Sequence, residues 1–164
     1  MALKKVMLNV VSLIFILSVS QCSVNNLTYS DCGSKHGSIT NVHISGCEGK
    51  DACPLYKGTY AYIDVTFRSG VKSYSLTAEA YGKIGIFYRK LELPDPNACN
   101  YGVDCPIRPY ETYTYSIAIY IDESFPSISL VLELHLKDDT NTDVVCGRQR
   151  CRIVEYLPVV IQII

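Results

Sequence analysis

This chain of 164 residues has no tryptophan, three histidines and no excess of positive charge. Each shortage removes a class of function. His36, His43 and His135 stand in no His-Glu-x-x-His context and at no cysteine-pair metal spacing, and no serine sits in a Gly-x-Ser-x-Gly elbow. The common hydrolase and metal-site signatures are therefore missing, and the chain reads as no enzyme, with no metal and no cofactor. With 15 Lys+Arg against 16 Asp+Glu the formal net charge is -1, which offers no basic footprint for nucleic acid. Beyond the first twenty residues no segment makes a good membrane span: 154–164 is apolar but short, and Glu155 and Gln162 interrupt it. No internal repeat, low-complexity stretch or convincing long helix is present.

What is present in quantity is cysteine. Eight Cys fall at positions 22, 32, 47, 53, 99, 105, 146 and 151. They come after a start that reads as a secretory signal over residues 1–20. Lys4 and Lys5 form a short basic region, 6–19 is almost wholly apolar, and Ser18 and Ser20 supply small residues for cleavage after Ser20. Cleavage after Cys22 is a second option. Thiols thus meet an oxidising compartment, and disulfides are the default reading. Eight cysteines allow roughly a hundred pairings, so spacing alone does not choose among them. Removing Lys4 and Lys5 takes Lys+Arg from 15 to 13 against 16 Asp+Glu, so the mature chain, residues 21–164, is mildly acidic. It has the size of one domain. Asn26-Leu27-Thr28 is an acceptor triplet for N-glycosylation.

The rest of the chain has the period of β-strands. Over 60–67, Ala61, Ile63, Val65 and Phe67 share one face and Tyr60, Tyr62, Asp64 and Thr66 the other. Leu76, Ala78 and Ala80 alternate with Thr77, Glu79 and Tyr81. Over 112–121, Tyr113, Tyr115, Ile117, Ile119 and Ile121 share a face. Ile128, Leu130, Leu132, Leu134 and Leu136 alternate with Ser129, Val131, Glu133, His135 and Lys137. Period two in β-branched and aromatic residues, punctuated by Ser69-Gly70, Pro94-Asp95-Pro96-Asn97, Ser124-Phe125-Pro126 and Asp138-Asp139, predicts an all-β sandwich of two sheets. A one-residue slip of 128–137 would turn five apolar side chains to water, so its register is firmly specified.

An ordered set of motifs says more. It runs through Asp31-Cys32-Gly33-Ser34, Gly46-Cys47, Ala52-Cys53-Pro54-Leu55, Asp64-Val65-Thr66-Phe67 and Leu93-Pro94-Asp95-Pro96-Asn97-Ala98-Cys99. Then come Cys105-Pro106-Ile107, Thr112-Tyr113-Thr114-Tyr115, Phe125-Pro126-Ser127-Ile128, Leu134-His135-Leu136-Lys137-Asp138-Asp139 and Cys146. From about Asp31 to Cys146 the chain closely resembles the Niemann-Pick type C2 family of secreted lipid carriers, within the lipid-recognition (ML) domains related to myeloid differentiation protein 2. The resemblance implies an immunoglobulin-like β-sandwich with the disulfides Cys32–Cys146, Cys47–Cys53 and Cys99–Cys105. It also implies a sterol, fatty acid or other small apolar lipid held between the sheets without a covalent step.

Transferred by position, the pocket candidates on the first strands are Ile63, Val65, Phe67, Ala78 and Ala80. Further along they are Ile119, Ile121, Ile128, Leu130, Leu132 and Leu134, with Leu91, Ile121, Phe125 and Pro126 at the entrance. Each also fits plain core packing, because core and pocket share one apolar pattern. The chain departs from the sterol-binding pattern in three places. The entrance stretch 86–93 has Leu91 in place of an aromatic and adds Arg89 and Lys90, cations suited to a carboxylate lipid or simply solvated. Leu134 stands where the family has Trp. Gly147-Arg148-Gln149-Arg150-Cys151-Arg152 reads as an inserted exposed loop with three Arg. Cys151 has no family partner: it pairs with Cys22 if cleavage precedes that residue, and otherwise is free or pairs between chains.

The expected protein is a secreted monomer, extracellular or in the lysosomal lumen, that meets a membrane or an acceptor protein transiently. The competing reading is a lipid- or protein-recognition accessory module with no carrier role, since sandwiches of this kind also bind through loops and edges.

Overall fold

The computed structural model describes residues 29–157. The signal segment, Cys22, Asn26 and residues 158–164 lie outside the described residues, and so do the expectations placed on them.

Nine strands succeed one another: β1 (Ser30–Asp31), β2 (Gly37–Ile44), β3 (Cys53–Tyr56), β4 (Thr59–Ser69), β5 (Thr77–Ile84), β6 (Phe87–Leu91), β7 (Thr112–Ile121), β8 (Ser129–Lys137) and β9 (Asp143–Val154). The only helical piece among the described residues is a 3-10 turn at Ala98–Asn100. Strands β2, β4 and β7 form one sheet in that order. The other runs β1-β9-β8-β5-β6, and β3 pairs with β9. All pairings are antiparallel except β3 with β9, which is parallel through Cys53↔Cys151 to Tyr56↔Val154. The two sheets are thus antiparallel, as expected for an immunoglobulin-like sandwich, with β3 added in parallel along β9.

The period-two residues sit as their alternation dictates. Ala61, Ile63, Val65 and Phe67 of β4 and Tyr113, Tyr115, Ile117 and Ile121 of β7 are buried, while Tyr60, Tyr62 and Tyr120 point to water. Tyr60 and Tyr120 face each other across the strands with ring centroids 5.2 Å apart. On β8, Leu132, Leu134 and Leu136 are buried against the facing sheet, with Leu130 partly so. Beside β2 the sheets pack tightly: a Cβ on Gly147 would stand 2.7 Å from Ile39 Cδ1. A side chain at 147 would therefore require the Ile39 side chain to shift. At β5–β6, Ile84 pairs with Phe87, leaving a two-residue turn whose first residue, Gly85, has φ 59°. A tight hairpin needs this positive φ, and glycine adopts it without strain.

Three disulfides join Cys32 to Cys146, Cys47 to Cys53 and Cys99 to Cys105. The first ties β1 and its following turn to β9; the second fastens the start of β3. The segment 147–152 is not an exposed loop. It is the middle of β9, with Gln149, Cys151 and Ile153 buried and Arg150 and Arg152 exposed on the other side. The density of arginine conceals an ordinary strand alternation. Cys151 is 1% exposed and has no disulfide partner among the described residues.

Candidate ligand cavity

The sandwich is packed unevenly from end to end. Toward one end Phe67, Leu76, Val103, Ile107, Tyr115, Leu136 and Val144 fill the space between the sheets, each at 1% exposure or less. Toward the other end the fill thins and a cavity of about 320 Å³ opens. Ala61 and Ile63 of β4 and Ile119 and Ile121 of β7 supply one wall. Leu130 and Leu132 of β8, Ile153 of β9 and Leu55 of β3 supply the opposite one. Leu91 of β6 and Phe125 of the β7–β8 connection flank the opening, with Arg89, Lys90, Glu92 and Tyr120 beside them. Small residues make this room: Ala80 and Gly82 on β5 lie opposite Leu91 and Arg89, and a Cβ on Gly82 would already meet Leu130 Cδ1 at 3.4 Å.

The two cations of the entrance stretch have different surroundings. Lys90 Nζ donates to Glu79 Oε1 at 2.6 Å, and Lys137 approaches the other oxygen of Glu79 at 3.2 Å. The hydrogen bond from Lys90, with those from Lys137 and Tyr81, holds the Glu79 carboxyl down to about 2. Lys90 is thereby tethered to the outer face. Arg89 lies two residues before Leu91 in the strand, on the same side as it. Among the described residues no ion pair or hydrogen bond engages its guanidinium. Glu92, exposed on the same rim, is likewise unpaired there. The cavity is therefore an apolar chamber with one unengaged guanidinium and one unengaged carboxylate at its mouth.

Deeper in, Gln149 lies directly beside Leu132 in the β8–β9 pairing. Its amide nitrogen donates to the carbonyls of Asp51 (3.4 Å) and Arg150 (3.2 Å), and its Oε1 is buried with no partner. The Cys151 thiol, one inward position further along β9, is pushed up to about 12 by burial. It stays protonated and unreactive at ordinary pH.

Of the sequence-derived pocket candidates, Ile63, Leu91, Ile119, Ile121, Phe125, Leu130 and Leu132 line this cavity. Val65 and Leu134 line a separate space of about 30 Å³ beside β2, which shares Ile63 and Leu132 with the large one. Phe67 lies at the filled end, its ring 5.8 Å from that of Tyr113. Ala78 and Ala80 are buried on β5, Ile128 is half-buried against the core and Pro126 is exposed. The lining residues Leu55, Ala61 and Ile153 are missing from the sequence-derived set. The alternation of Gln149, Cys151 and Ile153 is a signal for Ile153, and a place on the face of Ile63 is one for Ala61.

No helix among the described residues is long and apolar enough to cross a membrane. One cluster there has metal-ligand atoms in reach of one another, Cys32, His135 and Cys146, but its two sulfurs are bonded together.

Comparison with known proteins places this architecture. The sequence profile of the ML domain matches residues 26–153. A Mus musculus protein, NPC intracellular cholesterol transporter 2, is 33% identical over 135 residues, spanning 82% of this chain and 90% of its own. The Danio rerio protein of the same name is 32% identical over 126 residues, spanning 77% and 84%. In three dimensions the chain is similar to a Niemann-Pick type C2 protein from the Japanese carpenter ant, with a TM-score of 0.74 over 78% of this chain and 100% of that one. Sequence identity there is 20%, so the likeness is one of fold.

Proposed function

We propose, since this chain belongs to the ML-domain family, that it binds a small apolar lipid between its sheets and carries it through water. The observation that carries this reading is the cavity itself: a space of about 320 Å³ walled by aliphatic side chains and open at one end. A core that served stability alone would be filled, as the other end is. Transfer of apolar ligand surface from water is worth about 25 cal/mol per Å², and it needs neither cofactor nor catalytic group. Binding is then reversible, with shape set by Ile63, Ile119, Ile121, Leu130 and Leu132 and passage controlled by Leu91 and Phe125.

The mouse relative's name specifies cholesterol, and a sterol is one ligand of this proposal. The mouth of this chain favours a second, a fatty acid. An unengaged Arg89 on the Leu91 side of β6 can take a carboxylate through paired N–H donors while the acyl chain occupies the chamber. The signal-like residues 1–20 support secretion, and the carrier works as a monomer that meets a membrane or an acceptor protein at unloading. The accessory-module reading, recognition without transport, makes the opposite prediction about the chamber.

Organic extracts of the protein purified from secreting cells, read by mass spectrometry, test the proposal. A near-stoichiometric sterol or fatty acid supports it and identifies the class. A protein that yields no lipid, and whose melting temperature no sterol or fatty acid raises, overturns it, because a ligand bound only by the folded state must stabilise that state.

A further inference from the structure

Away from the cavity, on the outer face of the six-stranded sheet, three side chains form a line. His135 of β8 and Cys146 of β9 are direct partners in the strand pairing. The imidazole Nδ1 faces Asp143 Oδ1 at 3.1 Å, and Nε2 lies 3.6 Å from Cys146 Sγ. An ionised Asp143 only accepts, so Nδ1 carries a hydrogen and Nε2 is the atom that exchanges a proton with the sulfur. The Tyr81 ring packs on the imidazole in a T-shaped arrangement, with ring centroids 5.5 Å apart. Glu79 stands opposite His135 on β5, and Lys137 bridges to Glu79 alongside it. Carboxylate, imidazole and sulfur in this order are the arrangement that makes a cysteine a stable thiolate.

Here the sulfur belongs to the Cys32–Cys146 disulfide, and the two halves of that bond differ. Cys146 is 0% exposed, and its backbone N–H is tied to Ser34 Oγ at 3.0 Å. Cys32 is partly exposed in the turn after β1. Of the two halves Cys32 is the more exposed and so the one open to a thiol from solution, and the imidazole stands at the sulfur that must then leave. We propose that Cys32–Cys146 is a thiol-exchange site. It takes a low-molecular-weight thiol of the glutathione class and forms a mixed disulfide on Cys32.

In the exchange an external thiolate attacks Cys32 Sγ along the S–S axis. The new S–S bond forms there, the Cys32–Cys146 bond breaks, and its electron pair passes to Cys146 Sγ. That sulfur takes the proton from Nε2 of the imidazolium or remains a thiolate paired with it, while Asp143 balances the ring's charge. The reverse step uses the same groups: neutral His135 removes the proton, and Cys146 attacks the mixed disulfide and expels the external thiol. No net oxidant or reductant is consumed. A leaving sulfur held as a thiolate departs faster, which is the general rule for such exchange.

The experiment is incubation of the whole secreted protein with reduced glutathione, without denaturant, then acid quench, alkylation and peptide mapping. The expected result is glutathione on Cys32 with an alkylated Cys146, appearing at least tenfold faster than opening of Cys47–Cys53 or Cys99–Cys105. His135→Gln should slow this opening at least tenfold and scatter the adduct between the two sulfurs, with the other two disulfides unaffected. Asp143→Asn is the second variant, with an intermediate slowing, and it serves if His135→Gln does not fold. Opening no faster than that of the two short loops, or an unchanged rate and adduct position in a folded variant, would overturn the assignment.

Discussion

The two ends of the sandwich use the same residue types for opposite purposes. At one end Phe67, Tyr115, Leu136 and Val144 are buried to 1% or less and leave no room. At the other, Ile63, Ile121, Leu130 and Leu132 come from the same strands, β4, β7 and β8, and surround a chamber. Along β8 the change takes four inward positions, from Leu136 at 1% exposure through Leu134 and Leu132 at 8% to the only partly buried Leu130. The strands are continuous across the change, so the filled end is the anchor that lets the other end stay open. Void volume costs stability, and the anchor must offset it.

The largest effect that would sharpen this contrast is at the anchor. Phe67→Ala should cost about 3–5 kcal/mol in chemical denaturation while lipid selectivity remains that of the wild type. At the open end the balance reverses. Ile121→Asp places an unpartnered carboxylate in the wall of the chamber, and roughly a hundredfold loss of lipid affinity is expected with the cooperative fold retained. Full affinity in a titration with sterol and fatty acid would break the distinction between the ends.

A smaller change separates mouth from wall. Arg89→Gln should weaken a fatty acid by about tenfold and leave a sterol alcohol unchanged, since one charge-assisted contact to the head group is removed. Equal affinities for both lipids before and after would assign Arg89 to solvent. Smaller still is the contribution of Glu79, just outside the mouth. Its folded carboxyl is held down to about 2 from an ordinary 4.5, so its stabilisation is complete above about 4.5 and is lost as pH falls through 2. Melting temperatures between those pH values should fall more steeply for the wild type than for Glu79→Gln. Least of all, Tyr115→Phe at the anchor should be neutral or slightly stabilising in the same melts. Its hydroxyl is buried without a partner, and burial keeps it un-ionised.

Much of this architecture is legible in the order of the residues. Strands β4, β7 and β8 announce themselves because one face is dry and the other wet, and β7 begins and ends where the alternation does, at Thr112 and Ile121. β2 does not, for a physical reason: the register shifts between Ile39 and Asn41, so its apolar residues fall at 39, 42 and 44 and no single parity fits. β9 is hidden by Arg148, Arg150 and Arg152, whose charge draws attention from the buried Gln149, Cys151 and Ile153 between them. The disulfide pairing comes from family likeness rather than from spacing. The cavity is half legible. Alternation supplies its walls, but where the fill stops along a strand depends on the residues across the gap, and period two does not encode that. The unequal fates of Lys90 and Arg89 likewise depend on Glu79, which lies on the neighbouring strand.

β6, which carries the mouth, is also an edge strand of its sheet among the described residues. A row of unpaired backbone groups beside exposed Phe87 and Tyr88 is a template for a strand from another copy, and proteins blunt such edges with brevity and charge. β6 is five residues long and holds Arg89 and Lys90 side by side. The same two charges thus serve solubility as well as any ligand. A lineage drifting toward neutral cargo could not simply discard them without inviting self-association, so the chemistry of the mouth is constrained by the need to remain dispersed.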